Sequence, residues 1–222
     1  SNLGSLATAA TDVITVTVND TAGAGVTASD LSALGGKTAG TVTVTNAVDI
    51  TGTRAQATAA LVTAATKVEV SAATVTISDA NGTAMNATDL SAIGGATTGT
   101  VTVSNAVAIT GDHDQATAAL VTNASKVSAG TATVTINDAN GTAITAAELS
   151  AIGGATTGTV TVTNDVAITG DHDQVTAALI TTGTKVEVTD ATVTINDASS
   201  TAISASELSA IGGATTGTVT VS

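Results

Sequence analysis

ATVTINDANGTAITAAELSAIGGATTGTVTV, residues 132–162, carries the local signals that decide the fold. It opens with Val134 and Ile136 alternating with Thr133 and Thr135, the period-2 pattern of a strand with one buried face. NDANG, residues 137–141, follows as a turn signal. Thr145 stands three residues before Glu148, the spacing of a capping box, in which each side chain satisfies a backbone N–H at a helix entrance. Leu149 and Ile152 share one face of the helix so started, and the pair Gly153 and Gly154 is a natural stop. A second Val/Thr strand, at residues 159–162, closes the stretch.

The whole pattern recurs. ITVTVND from Ile14 returns as ATVTISD from Ala73 and as ATVTIND from Ala132 and Ala191, at equal intervals along the chain. TVTV at Thr41, Thr100, Thr159 and Thr218 keeps the same spacing. A period held without insertion or deletion marks a tandem array whose units gain stability by stacking. We read one array over 1–222 with units 14–72, 73–131, 132–190 and a partial 191–222, residues 1–13 ending a preceding unit. Each unit carries two caps. The first set pairs Thr27 with Asp30, Asn86 with Asp89, Thr145 with Glu148 and Ser204 with Glu207. The second pairs Thr53 with Gln56, Asp112 with Gln115 and Asp171 with Gln174.

The interval from Thr145 to Val160 equals that from Asp171 to Val186, so cap and following strand form one module that predicts Val160 beside Val186. The two coils of a unit are unequal, since the step from Thr159 to Lys185 is shorter than the step from Lys185 to Thr218. The excess lies between strand and cap, around NDANG, and leaves open a small hairpin or a wider coil. A coil reads as strand, turn, second short strand, capped helix of two or three turns and Thr-Gly return, and helices alternating with short strands imply parallel pairing through right-handed crossovers. The expected fold is a leucine-rich-repeat-like α/β solenoid; the alternative is an all-β solenoid in which the capped segments are corners.

Composition narrows the function. Phe, Trp, Tyr, Cys and Pro are all absent from the 222 residues, so the core is thin and disulfides play no part. A net charge of −13, with Lys37, Arg54, Lys67, Lys126 and Lys185 the only cations, argues against nucleic acid as a partner. Without aromatic rings the chain has no platform for bases or for choline-like cations. No apolar run is long enough to span a bilayer, and a start other than Met, inside a repeat, reads as a fragment or mature segment. Strand edges at both ends invite further repeats of the same chain or self-association, end to end or lateral.

Two motifs invite a metal. GDHDQ, at residues 111–115 and 170–174, groups Asp112, Asp114, Asp171 and Asp173 with His113 and His172. The first unit has GTRAQ there, residues 52–56, which keeps the cap and discards the His and the second acid. SDANG and NDANG offer Asp79, Asn81, Asp138 and Asn140 in the Asp-x-Asn-Gly order that opens an oxygen-rich calcium loop, without the bidentate Glu of an EF-hand. Capping and turn chemistry account for what all copies share, so calcium is the candidate cofactor and none is certain. The two His are repeat-equivalent, no nucleophile–base arrangement or phosphate loop occurs, and the reading is not an enzyme. Thr-x-Thr strands raise ice binding, but the module register sets Thr159 and Thr161 beside Lys185 and Glu187, and Lys67 and Glu69 repeat the interruption, predicting a charge in every second rung.

TVTVTNDVAITGDHDQVTAALITTGTKVEV, residues 159–188, resembles the Thr/Ala/Val-rich repeats of giant bacterial cell-surface and secreted proteins, known from marine cyanobacteria and other Gram-negative bacteria. The resemblance covers the whole chain and implies an extracellular or cell-surface structural role as an adhesin, surface-layer or filament element, often calcium-stabilised. The Gly-Gly-x-Gly-x-Asp nonapeptide of calcium-binding RTX rolls is absent. A calcium-binding or ice-binding repeat module is the alternative function.

Overall fold

The computed structural model describes residues 11–125 and 127–222, so most of the segment read as ending a preceding unit lies outside the described residues. The first unit forms β1 (Val16–Val18), β2 (Gly25–Thr27), α1 (Ala28–Gly35), β3 (Val42–Val44), β4 (Asp49–Gly52), α2 (Arg54–Leu61) and β5 (Val68–Val70). The second forms β6 (Thr74–Ile77), β7 (Ala84–Asn86), α3 (Ala87–Gly95), β8 (Val101–Val103), β9 (Ala108–Gly111), α4 (His113–Ala116) and β10 (Val127–Ser128). Helix α4 runs on into a π-helical turn at Thr117–Val121. The third gives β11 (Thr133–Ile136), β12 (Ala143–Thr145), α5 (Ala146–Gly154), β13 (Val160–Val162), β14 (Ala167–Gly170), α6 (His172–Leu179) and β15 (Val186–Val188). The partial unit adds β16 (Thr192–Ile195), α7 (Ala205–Gly213) and β17 (Val219–Val221). The capped segments are helices and the sheets are parallel, so the protein is α/β.

Among the described residues the strands form four parallel sheets, ordered β1-β3-β5, β2-β4-β6-β8-β10, β7-β9-β11-β13-β15 and β12-β14-β16-β17. Apart from β16 and β17, which α7 links, the chain visits a second sheet between neighbouring strands, and no pair is joined by a tight turn. In the third sheet the buried column runs Met85, Ile109, Val134, Val160, Val186, each one coil further along the chain. The second repeats those steps through Val26, Ile50, Val75, Val101 and Val127. Val160 does pair with Val186, as the cap-to-strand module requires.

The long coil holds neither a hairpin nor a simple widening. Between α2 and α3 lie three strands, β5, β6 and β7, each in a different sheet, whereas two strands separate α1 from α2. The additional strand moves each sheet one place relative to the helices. Strands β7 and β9 precede their helices, β11 is a middle strand, and β13 and β15 follow theirs. The short coil supplies rungs that the charge-interruption reading lacked. Glu69 and Glu187 do fall opposite Thr43 and Thr161. In the second sheet, however, Thr27, Thr51, Thr76, Thr102 and Ser128 pair in one column with no charge.

Inward residues are small and closely fitted. Most strand Val and Ile, with Leu31, Leu90, Leu149, Ile93 and Ile152 of the first-type helices, are buried, and Ala57, Ala60, Ala116, Ala119 and Ala178 line the second-type helices where they meet their neighbours. Each such Val, Leu or Ile contributes about 1.5–3 kcal/mol. An Ala contact leaves no room for a ring, which accounts for a core without aromatics. Gly153 is selected by the same closeness, not by a turn. It lies inside α5, and a Cβ there would stand 2.4 Å from the carbonyl oxygen of Thr184; at Gly94 the distance to Ser125 O would be 2.0 Å. The helices do end at these glycine pairs, but the cap residues Ala96 and Ala155 are right-handed, so no left-handed glycine makes the stop.

Buried hydroxyls tie one coil to the next. Thr156 Oγ1 donates to Ala132 O (2.5 Å) and accepts from Gly158 N (3.0 Å), and Thr38, Thr97 and Thr215 make the equivalent contacts. Thr184 Oγ1 donates to Ala178 O (3.0 Å) and Thr181 O (2.9 Å), closing the end of α6, as Thr66 and Ser125 do for the preceding second-type helices. Lys67 and Lys185 hold a left-handed backbone (φ 47° and 48°) while their Nζ donate to Ala39 O and Thr157 O.

Three further hydroxyls, on Thr58, Thr117 and Thr176, are buried without a partner. Thr156→Val should therefore cost about 1–3 kcal/mol in urea unfolding, because it strands a buried donor and acceptor, whereas Thr176→Val should be neutral or stabilising. Gly153→Ala should destabilise strongly by forcing the Thr184 backbone aside. Gly154→Ala, which meets open space, should stabilise by about 0.5–1 kcal/mol.

Candidate functional site

The chemistry-bearing side chains gather where one unit meets the next, at the start of each second-type helix. Thr53, Asp112 and Asp171 are extended N-cap residues whose side chains accept from Gln56 N, Gln115 N and Gln174 N, while each Gln returns its oxygen to the cap N–H. Arg54, His113 and His172 follow as the first helical residues. Their backbone N–H groups are among those that a helix leaves without an internal acceptor.

An aspartate from the following unit supplies that acceptor. Asp79 Oδ2 accepts from Arg54 N (2.5 Å), Asp138 Oδ2 from His113 N (2.8 Å) and Asp197 Oδ2 from His172 N (2.9 Å). The other oxygen takes the imidazole: Nδ1 of His113 donates to Asp138 Oδ1 (2.7 Å), and Nδ1 of His172 to Asp197 Oδ1 (2.6 Å). The ladder positions them. Gly111 pairs with Ile136, so His113 and Asp138, each two residues further on, come level. GDHDQ and NDANG are two halves of one contact.

The first boundary is built differently. Arg54 reaches past Asp79, and its Nη1 pairs with Asp89 Oδ2 at 2.7 Å. Asp89 is therefore not a cap partner, and Asn86 makes no side-chain cap. At the equivalent position of the next unit Glu148 folds back on its own helix, accepting from Thr145 N (2.9 Å) and Thr145 Oγ1 (2.7 Å), and Glu207 likewise accepts from Ser204 N (2.9 Å). An acid at this place thus either bridges units or completes a capping box.

The metal candidates are distributed through these contacts. Asp112 and Asp171 cap helices; Asp79 and Asp138 hold helix N-termini. Asn81 Oδ1 accepts from Ala106 N (3.0 Å), and Asn140 is exposed in its turn. Asp114 and Asp173 extend into solvent, 85% and 87% exposed, with one oxygen 3.5 and 3.4 Å from the Nε2 of His113 and His172. Among the described residues no three His, Cys, Asp or Glu side chains are grouped to hold a metal ion. Asp89, Glu148, Asp197 and Glu207 belong to these boundaries without having been singled out as site residues; the offset between paired strands was the signal for Asp197.

Charge and burial act oppositely on the imidazoles. Burial lowers the His113 pKa, but the hydrogen bond and charge of Asp138, with Asp114 and Glu148, outweigh it and hold the ring above its ordinary 6.5. The Asp197 hydrogen bond is the largest influence on His172, which is also raised. Burial raises Asp197, yet the His172 contacts bring it below its ordinary 3.8. The Thr145 and Ser204 hydrogen bonds lower Glu148 and Glu207 below 4.5. The protonated imidazoles add stability that is fully present below pH 6.5 and lost as pH rises through their raised values. The carboxylates add stability that is present above their ordinary values and lost as pH falls through their lowered ones.

Asp138→Asn should lower the His113 pKa in an NMR titration and cost about 1–3 kcal/mol in urea unfolding. Asp114→Asn, at a solvent-exposed carboxylate, should leave stability nearly unchanged. No family model, curated protein or solved structure matches the chain.

Proposed function

We propose that the chain is a stretch of a leucine-rich-repeat-like α/β solenoid that serves as an extracellular structural element rather than as an enzyme. It acts as a surface scaffold, an adhesin stalk, or a filament or surface-layer element, and its partners are further repeats of the same chain or other copies of it. One observation carries this reading: the titratable side chains at the unit boundaries are bound to the backbone and side chains of the adjoining unit, where they join units instead of facing a cleft. Strands that pair one coil after another, as Met85 with Ile109 and Ile109 with Val134, supply the rest, since such a ladder extends by adding units. Among the described residues no helix is long and apolar enough to cross a membrane.

Electron microscopy of the protein should show filaments, stalks or an ordered lattice, and a field of dispersed monomers would count against the proposal. A calcium-dependent rise in melting temperature, or thermal hysteresis in ice growth, would instead assign the array a ligand-binding role.

A further inference from the structure

Three unit boundaries among the described residues, those of Arg54, His113 and His172, share one geometry but not one chemistry. At each, the first residue of a second-type helix faces an aspartate of the next unit and, beyond it, the acid three residues past the next first-type cap. The residues are Arg54, Asp79 and Asp89 at the first boundary, His113, Asp138 and Glu148 at the second, and His172, Asp197 and Glu207 at the third. A guanidinium stays charged at every pH the protein meets, whereas an imidazole changes charge near neutrality.

We propose that the contacts of His113 with Asp138 and of His172 with Asp197 are proton-operated latches between repeat units, and that the Arg54 boundary is a permanent lock of the same design. Charged groups on the surrounding elements all favour the protonated ring. On its own helix His113 has Asp112 and Asp114; from the following turn comes Asp138, and from α5 comes Glu148. Asp89 on the neighbouring α3 is engaged by Arg54. His172 has Asp171 and Asp173 on its own helix, Asp197 from the following turn and Glu207 from α7, while Glu148 on the neighbouring α5 is engaged by Thr145. No Lys or Arg takes part at either latch among these contacts.

When the ring loses its proton, the remaining N–H stays on Nδ1, facing Asp138 or Asp197. Nε2 then presents a lone pair to Asp114 or Asp173 about 3.5 Å away. The ion pair becomes a hydrogen bond from a neutral imidazole to a carboxylate, and an attraction on the far side of the ring becomes a repulsion. The latch loosens without breaking. With side chains only 13% and 15% exposed, the two rings are shielded enough for this change to reach the backbone N–H groups that the same aspartates hold.

Amide hydrogen exchange on the full chain, corrected for intrinsic rates, tests the proposal between about pH 5.5 and about pH 8.5, either side of an imidazole titration. Protection of the His113 and His172 amides should fall severalfold at the higher pH, with no comparable loss at Arg54. His113→Arg combined with Glu148→Asp, which copies the first boundary into the second, should abolish the loss at position 113 and leave it at His172. The reverse exchange, Arg54→His with Asp89→Glu, should create a pH-dependent loss at position 54. Equal losses at Arg54 and the two His in the unaltered chain, or no loss at either His, would overturn the proposal. So would a loss at position 113 that survives the His113→Arg, Glu148→Asp exchange, or a reverse exchange that leaves position 54 unresponsive.

Discussion

Every feature of this protein follows from the requirement that successive strands lie in register at hydrogen-bonding distance, about 4.8 Å apart. The chain must leave a sheet, visit another, form a helix and return to the adjacent rung, as it does from Ile109 to Val134 and from Val160 to Val186. A single added residue would turn each inward Val toward water. This explains a repeat period held without insertion, and it explains why the closest contacts are between backbones. Gly94 against Ser125, Gly153 against Thr184 and the buried Thr156 hydroxyl between Ala132 and Gly158 all act where there is no space for a larger group or for water.

Much of this was legible in residue spacing. Helix caps are local, so five of the seven pairs form reciprocal boxes as their spacing implies, and the cap-to-strand module placed Val160 beside Val186. Misreadings arose where a local pattern had a competing long-range partner. Asn86 and Asp89 have capping-box spacing, but Arg54 offers Asp89 a full charge. Helix α5 ends at the Gly153 and Gly154 pair as its spacing implies, yet the first of them is there because of the Thr184 carbonyl, far along the chain.

The boundary contacts were the least visible. GDHDQ and NDANG each have a self-sufficient local meaning, a helix cap and a turn, and nothing within either motif refers to the other. Their union depends on the offset between β9 and β11, the register of the second short strand, AITG, against the next unit, which no spacing within either motif fixes. The threonine columns look more interrupted than they are when only the Val/Thr strands are paired, because Thr51, Thr110 and Thr169 lie on those short strands.

The displacement of sheets relative to helices has a mechanical consequence. The sheet that starts at β7 in the second unit ends at β15 in the third, and the sheet before it begins in the first unit and ends at β10 in the second. Each of these sheets thus runs across a unit boundary, much as vertical joints are offset between courses of brick. A tear that follows one unit boundary must cut across the middle of a sheet, so load on one unit is shared by its neighbours through backbone bonds as well as through side chains.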